Sequence, residues 1–314
     1  MDILGINAAF HDSSAALIRD GAIVAAAEEE RFTRIKHAKR PVPFTSYQLP
    51  FHAIDYCLRE GGTTLRQIDR IAYSFDPSLL LNEGNPQSVT VPFGPASTKA
   101  TNEASPWEPL FLAGIVRAPL FLLGDVPHHL GHLRDGIAGP DELPPFQYVE
   151  HHLAHAASAY YVSGFAESAI LTLDGRGELA TTLHAVGRGA TIEKLSEVCL
   201  PHSLGLLYEQ VTSYLGFLHS SDEYKVMALA SYGDGRYVER FREFVQLASE
   251  GRYTIALPDL ISTFGPARRR GEPLEPRHFA IAAALQRVLE ESVLALVRWL
   301  HGRTALGDLC LAGG

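Results

Sequence analysis

The chain has 314 residues, 46% hydrophobic and 20% charged, a balance that supports packed cores and excludes a disordered polypeptide. Acidic residues outnumber basic ones by 36 to 27, a formal charge of −9 that argues against a nucleic-acid-coating protein. The three scattered cysteines (Cys57, Cys199, Cys310) form neither a disulfide framework nor a CxxC knuckle, and no apolar run approaches the roughly 18 residues of a membrane span. Met1-Asp2-Ile3-Leu4 lacks the basic-then-apolar start of a secretory signal, so a cytoplasmic protein that handles small molecules is expected.

Residues 3–7, 14–18 and 22–27 are apolar runs that predict a β-meander. Asp20-Gly21 between the last two is a type I′ hairpin signal. A helix is expected over 50–61, with Pro50 in its first turn and Gly61-Gly62 closing it, and then a strand over 68–75. Residues 76–110 are rich in Pro, Gly, Ser and Asn and read as an excursion. The whole of 76–146 is expected to be an insertion or lid on a region that spans 1–302. A strand at 147–149 leads into a helix over 151–162, followed by a strand at 169–173 and an antiparallel continuation at 179–185 and 191–198. Helices are expected near 204–215, 225–231 and 278–301, with a last strand at 306–311. That strand runs straight into Gly313-Gly314, which reads as a cut through a larger protein.

Glu150-His151-His152-Leu153-Ala154-His155 carries the sharpest chemistry. On a helix His151 and His155 share one face, so both imidazoles can reach a single cation, and His152 faces elsewhere. The segment is not HExxH, so no glutamate stands where a zinc protease needs its base. Two polar residues capping a helix would explain the pair equally well. Asp174 ends the next buried strand and is followed by Gly175 and Gly177, whose bare backbone admits a phosphate. Two imidazoles and a carboxylate suit Fe²⁺, Zn²⁺ or Mn²⁺, although Asp174 alone reads as a turn former. His11 and Asp12 lie in the first strand-to-strand turn, where ligand-binding groups or a plain turn are both reasonable. Lys36, His37 and Lys39 follow a mixed-charge run whose default reading is a solvated face, the alternative being contact with an anionic or hydroxyl-bearing ligand. Lys225 lies just inside a helix start at 222–233, where an ordinary amphipathic helix also fits.

Five blocks together resemble the NodU/CmcH-type O-carbamoyltransferases: ILGINAAFHDSSAAL at 3–17, IVAAAEEERFTRIKH at 23–37, VEHHLAHAASAYY at 149–161, LTLDGRGE at 171–178 and DEYKVMALASYG at 222–233. The resemblance implies an α/β fold of the actin/Hsp70/hexokinase-like (ribonuclease H-like) kind, with mixed sheets, flanking helices and a duplicated plan of which this chain is the first half. It implies that a C-terminal YrdC-like domain, absent here, makes carbamoyl-adenylate from carbamoyl phosphate and ATP. The Kae-like part then transfers the carbamoyl group to a hydroxyl of a small-molecule acceptor such as a sugar or an antibiotic. His151, His155 and Asp174 match the family's metal ligands, typically for iron. Asp12 and His11 become candidates near the acceptor, with Lys36 and Lys39 as orienting groups. Gly175, Gly177, Lys225, Gly313 and Gly314 become candidates for the adenylate.

Residues 303–314 match the opening of a second half that is cut off, so the chain is expected not to complete the reaction alone. A homodimer is a further expectation. Arg176 stands where the family usually has a small apolar residue. Three other readings compete: a tRNA threonylcarbamoyl transferase, disfavoured by the lack of a basic excess; a sugar kinase, in which the histidine pair has no task; and a truncated product that exposes an apolar strand face and aggregates.

Overall fold

The structure is a computed structural model that describes residues 1–38, 48–82, 85–89, 108–256 and 258–314. The chain divides into two compact units, the first ending at His151 and the second running from His152 to Gly314.

The first unit opens with β1 (Asp2–Asn7), β2 (Ser14–Arg19) and β3 (Ala22–Glu28), an antiparallel meander as expected. Asp20 and Gly21 turn the second hairpin with φ of 51° and 83°, the two positive values a type I′ turn requires. A short helix α1 (Glu30–Thr33) and a 3₁₀ turn (Lys36–Ala38) follow. Helix α2 (Phe51–Glu60) buries Ile54, Cys57 and Leu58, the i, i+3, i+4 stripe of a helix lying on a sheet. Pro50 sits one position earlier than expected, at the N-cap.

Strand β4 (Arg70–Tyr73) then pairs parallel to β1, and a small hairpin joins β5 (Leu81–Asn82) to β6 (Asn85–Val89). Helices α3 (Glu108–Val116) and α4 (Ala118–Gly124) lead to β7 (Phe146–Tyr148), parallel to β4, and the sheet order is β3-β2-β1-β4-β7. Part of the expected insertion over 76–146 packs into the core of this unit. Leu112, Ile115, Leu122, Leu130 and Leu133 join Leu4, Leu17, Ile54 and Ile71 in one core, because the apolar side chains of α3 and α4 have this sheet to bury against. Residues 90–107 of the expected lid lie outside the described residues.

Helix α5 (His151–Tyr160) leads into the second unit, where β8 (Glu167–Leu173), β9 (Ala180–Arg188) and β10 (Thr191–Cys199) form another antiparallel meander. Then come α6 (Leu204–Tyr214), α7 (Glu223–Ala230), α8 (Val238–Phe244), a hairpin of β11 (Val245–Leu247) and β12 (Tyr253–Ile255), α9 (Leu260–Phe264) and the long α10 (Pro276–Thr304). Ile281, Leu285, Val288, Leu296 and Leu300 of α10 bury with Leu207 and Val211 of α6. Strand β13 (Leu309–Ala312) adds parallel to β8, giving the order β10-β9-β8-β13.

Both sheets therefore follow one plan, a three-strand meander whose first strand takes a parallel neighbour on its other side. These are mixed sheets with flanking helices, as expected. Among the described residues no helix is long and apolar enough to cross a membrane.

Candidate metal centre and a histidine–aspartate clamp

His151 and His155 stand one turn apart on α5, and Asp174 is the first residue after β8. One ligand atom from each lies within 4.8 Å of the other two. His155 Nε2 is 3.0 Å from Asp174 Oδ2, while Oδ1 accepts the Gly175 N–H at 2.6 Å. His151 is buried, and its Nδ1 donates to the Ser74 carbonyl at 3.1 Å, which puts the ring's lone pair on Nε2. A carbonyl behind the far nitrogen is how metal-binding imidazoles are commonly oriented. His152 faces elsewhere as expected, fully buried with Nδ1 2.6 Å from Thr172 Oγ1.

The Asp174 loop is built from backbone contacts that the motif did not reveal. Ser203 caps α6 by accepting the Leu206 N–H at 3.0 Å, and its hydroxyl reaches the carbonyls of Gly175 at 2.7 Å and Asp174 at 3.3 Å. A Cβ on Gly205 would stand 2.6 Å from the Gly175 nitrogen, so the helix start packs this closely only with glycine there. Gly313 is similar, with φ of +117° and room for no Cβ against the Leu173 carbonyl. Gly175 itself has ordinary space around it, Gly177 donates its N–H to Ala180 at 2.8 Å, and Gly314 meets nothing nearby.

Lys225 is paired with Asp222, Nζ to Oδ1 at 2.7 Å, and that hydrogen bond raises its pKa. Arg176 acts on Glu209. Burial pushes the Glu209 carboxyl up, but hydrogen bonds from His219 (2.7 Å) and Ser220 (2.6 Å), with the charges of His219 and Arg176, hold it below its ordinary value. The same Glu209 contact raises His219.

A second cluster occupies the loop between β1 and β2. Asp12 lies between two imidazoles, with Oδ2 2.6 Å from His11 Nδ1 and Oδ1 2.9 Å from His37 Nδ1. The hydrogen bond from His11, followed by that from His37, lowers its pKa from 3.8 to about 2 despite partial burial. Asp12 (φ 55°) and His37 (φ 60°) are both left-handed, and the Asp12 N–H donates to the His37 carbonyl at 3.0 Å. Asn7 Nδ2 holds the carbonyls of His11 and Asp12, and Ser74 holds Asn7 in turn. The loop is thus held by contacts from both sides on two residues of left-handed backbone. Phe10 packs edge-on against the His151 ring at 5.1 Å, which ties the loop to that imidazole. Lys36 is exposed beside His37, and Lys39 lies outside the described residues.

The Carbamoyltransferase N-terminus family model matches residues 2–314, and the chain belongs to that family. It is 38% identical to the uncharacterized protein sll1178 of Synechocystis, over 99% of this chain and 50% of that protein. It is 36% identical to nodulation protein NolNO of Sinorhizobium fredii, over 98% of this chain and 41% of that protein. The chain thus spans about half the length of the curated relatives it matches. Among solved structures, a ROK hexokinase from Thermus thermophilus is 14% identical over 100% of this chain and 82% of that one, with a TM-score of 0.35.

Proposed function

We propose that this chain is the transfer portion of an O-carbamoyltransferase, moving a carbamoyl group from carbamoyl-adenylate, made elsewhere from carbamoyl phosphate and ATP, to a hydroxyl of a small-molecule acceptor. The observation that carries the reading is the convergence of His151, His155 and Asp174 in a chain of the carbamoyltransferase family. Their donor set fits a divalent cation of the iron, zinc or manganese kind, and His151 already carries its lone pair on Nε2. Such a cation would supply Lewis-acid neutralisation of phosphate charge.

In the transfer the acceptor oxygen bonds to the carbamoyl carbon, the bond from that carbon to the phosphate oxygen breaks, and AMP leaves. The hydroxyl proton must go to a base. Asp12, at about 2, is too weak a base near neutral pH, so it orients His11 and His37 and one of these imidazoles takes the proton. Asp12 is then a positioning residue, and Lys36 and Lys39 remain candidates to orient the anionic donor. The Asp174-Gly175 backbone, held by Ser203, with Gly177, Lys225, Gly313 and Gly314 as further candidates, would border the adenylate.

The test uses the protein extended to the length of its relatives, supplied with carbamoyl phosphate and ATP, and follows hydroxyl-dependent AMP release. His155→Ala is expected to abolish transfer and spare adenylate formation. Undiminished transfer in that variant defeats the assignment.

A further inference from the structure

A pair of imidazoles outside both clusters meets at its ring nitrogens. Glu29, 6% exposed, follows β3 and turns its carboxylate onto the start of α2. Oε2 accepts the Ala53 N–H at 2.9 Å, and Oε1 lies 3.3 Å from the His52 amide nitrogen. The same Oε1 is 2.5 Å from His52 Nδ1, a contact that needs a proton between the atoms. His52 therefore presents its lone pair at Nε2.

Facing it at 3.1 Å is Nε2 of His129, from the 3₁₀ segment His128–Arg134. With metal–nitrogen arms of about 2.0–2.1 Å, two imidazole nitrogens on one cation stand about 3.3–3.4 Å apart in a tetrahedron and about 2.9 Å apart as octahedral neighbours. The observed separation falls between these values. A buried carboxylate behind a histidine whose other nitrogen faces outward is the arrangement that orients metal-ligating imidazoles and raises their basicity. A parallel contact pins the two backbones in place: Asp55, three residues after His52, holds His132, three after His129, with Oδ1 to Nε2 at 2.6 Å.

We propose that His52 and His129 form a two-imidazole site for a divalent ion of the zinc, nickel or copper class, with Glu29 positioning His52. The site uses none of the residues of the His151 centre and does not depend on the transfer reading. Its nitrogen donors select these borderline ions over magnesium or calcium, and the remaining coordination positions are filled by water or an incoming ligand. A bound ion would cross-link α2 to the His128–Arg134 segment and stabilise the first unit by mass action.

The test counts zinc ions bound to the purified chain at low micromolar free zinc, by competition with a chromophoric chelator. The chain is expected to bind one more ion than either His52→Ala or His129→Ala. His128→Ala, which removes the exposed imidazole next to His129, is expected to keep the full count. An unchanged count in His129→Ala overturns the site, as does an equal loss in His128→Ala, which would mark indiscriminate histidine binding. His129 is exposed, so its replacement does not threaten folding, and unchanged circular dichroism checks this.

Discussion

Two loops hold the same place in the two sheets and surround their carboxylates differently. One joins β1 to β2 and carries His11 and Asp12; the other joins β8 to β9 and carries Asp174. Each follows a strand that is antiparallel to the next strand and parallel to a later one. In the first, the carboxylate is saturated by two imidazoles from turns, at 2.6 and 2.9 Å, on a left-handed backbone. In the second, one oxygen takes a backbone N–H and the other faces a histidine from a regular helix. The lesson concerns the partners. Topology delivers an acidic residue to the same loop twice, and what surrounds it decides which groups its two oxygens meet.

The largest expected effect breaks the second loop. His155→Ala, or exhaustive chelation of the native protein, should leave less than about a tenth of the metal at that centre, because the imidazole that faces Asp174 is lost from a three-donor cluster. Elemental analysis reads this, and unchanged metal would mean that α5 and the Asp174 loop do not form the centre.

Breaking the first loop comes next. Asp12→Asn should slow transfer by about 10²- to 10⁴-fold, the range for losing an oriented general base, while leaving metal content as it was. If metal and transfer fall together, the two loops do not act separately. The same variant also changes the response to pH. Asp12 is depressed in the folded chain, so its stabilisation is present above its ordinary 3.8 and is lost as pH falls through about 2. Acid unfolding should therefore start at higher pH for Asp12→Asn than for the native chain, and superimposable acid limbs would contradict the clamp.

Gly205→Ala acts on the second loop from behind. A Cβ 2.6 Å from the Gly175 nitrogen must push the helix start or the Asp174 loop aside, at a cost of about 1–3 kcal/mol. Thermal unfolding should show that loss together with weaker metal binding, whereas a lower melting point with native metal affinity would detach Ser203 and Gly205 from the centre. The smallest effect belongs to Lys225→Ala. Lys225 is exposed and its partner Asp222 is buried, but Asp222 Oδ2 still accepts the Leu218 N–H, so stability should fall by only about 0.5–1 kcal/mol. A large fall in transfer would then give Lys225 a ligand to hold.

Much of this was legible in the chain itself where the interaction is local. Asp20-Gly21 demands positive φ twice, and alternating apolar runs flank it, so the hairpin is written into adjacent residues. His151 and His155 are four apart, and any helix places them together. Short elements such as α8, β11, β12 and α9 were not legible, because so few residues establish no period. Within 76–146 the packing was not legible either: Pro and Gly mark breaks, but they do not reveal that Leu112 and Ile115 would find the β1–β4 sheet to pack on.

The sequence by itself determined the local order: which longer segments become strands and helices, which face of α5 carries the histidines, and which strand leads into Asp174. Backbone sterics and side-chain period act over a few residues, so a single chain displays them openly. Only the tertiary structure decided the partners. His37 meets Asp12 from 25 positions away, Ser203 grips the Gly175 carbonyl from 28, and His129 meets His52 from 77. A hydrogen bond or a ligand set is a matter of ångströms in space, and separation along the chain says nothing about it until the sheets have formed.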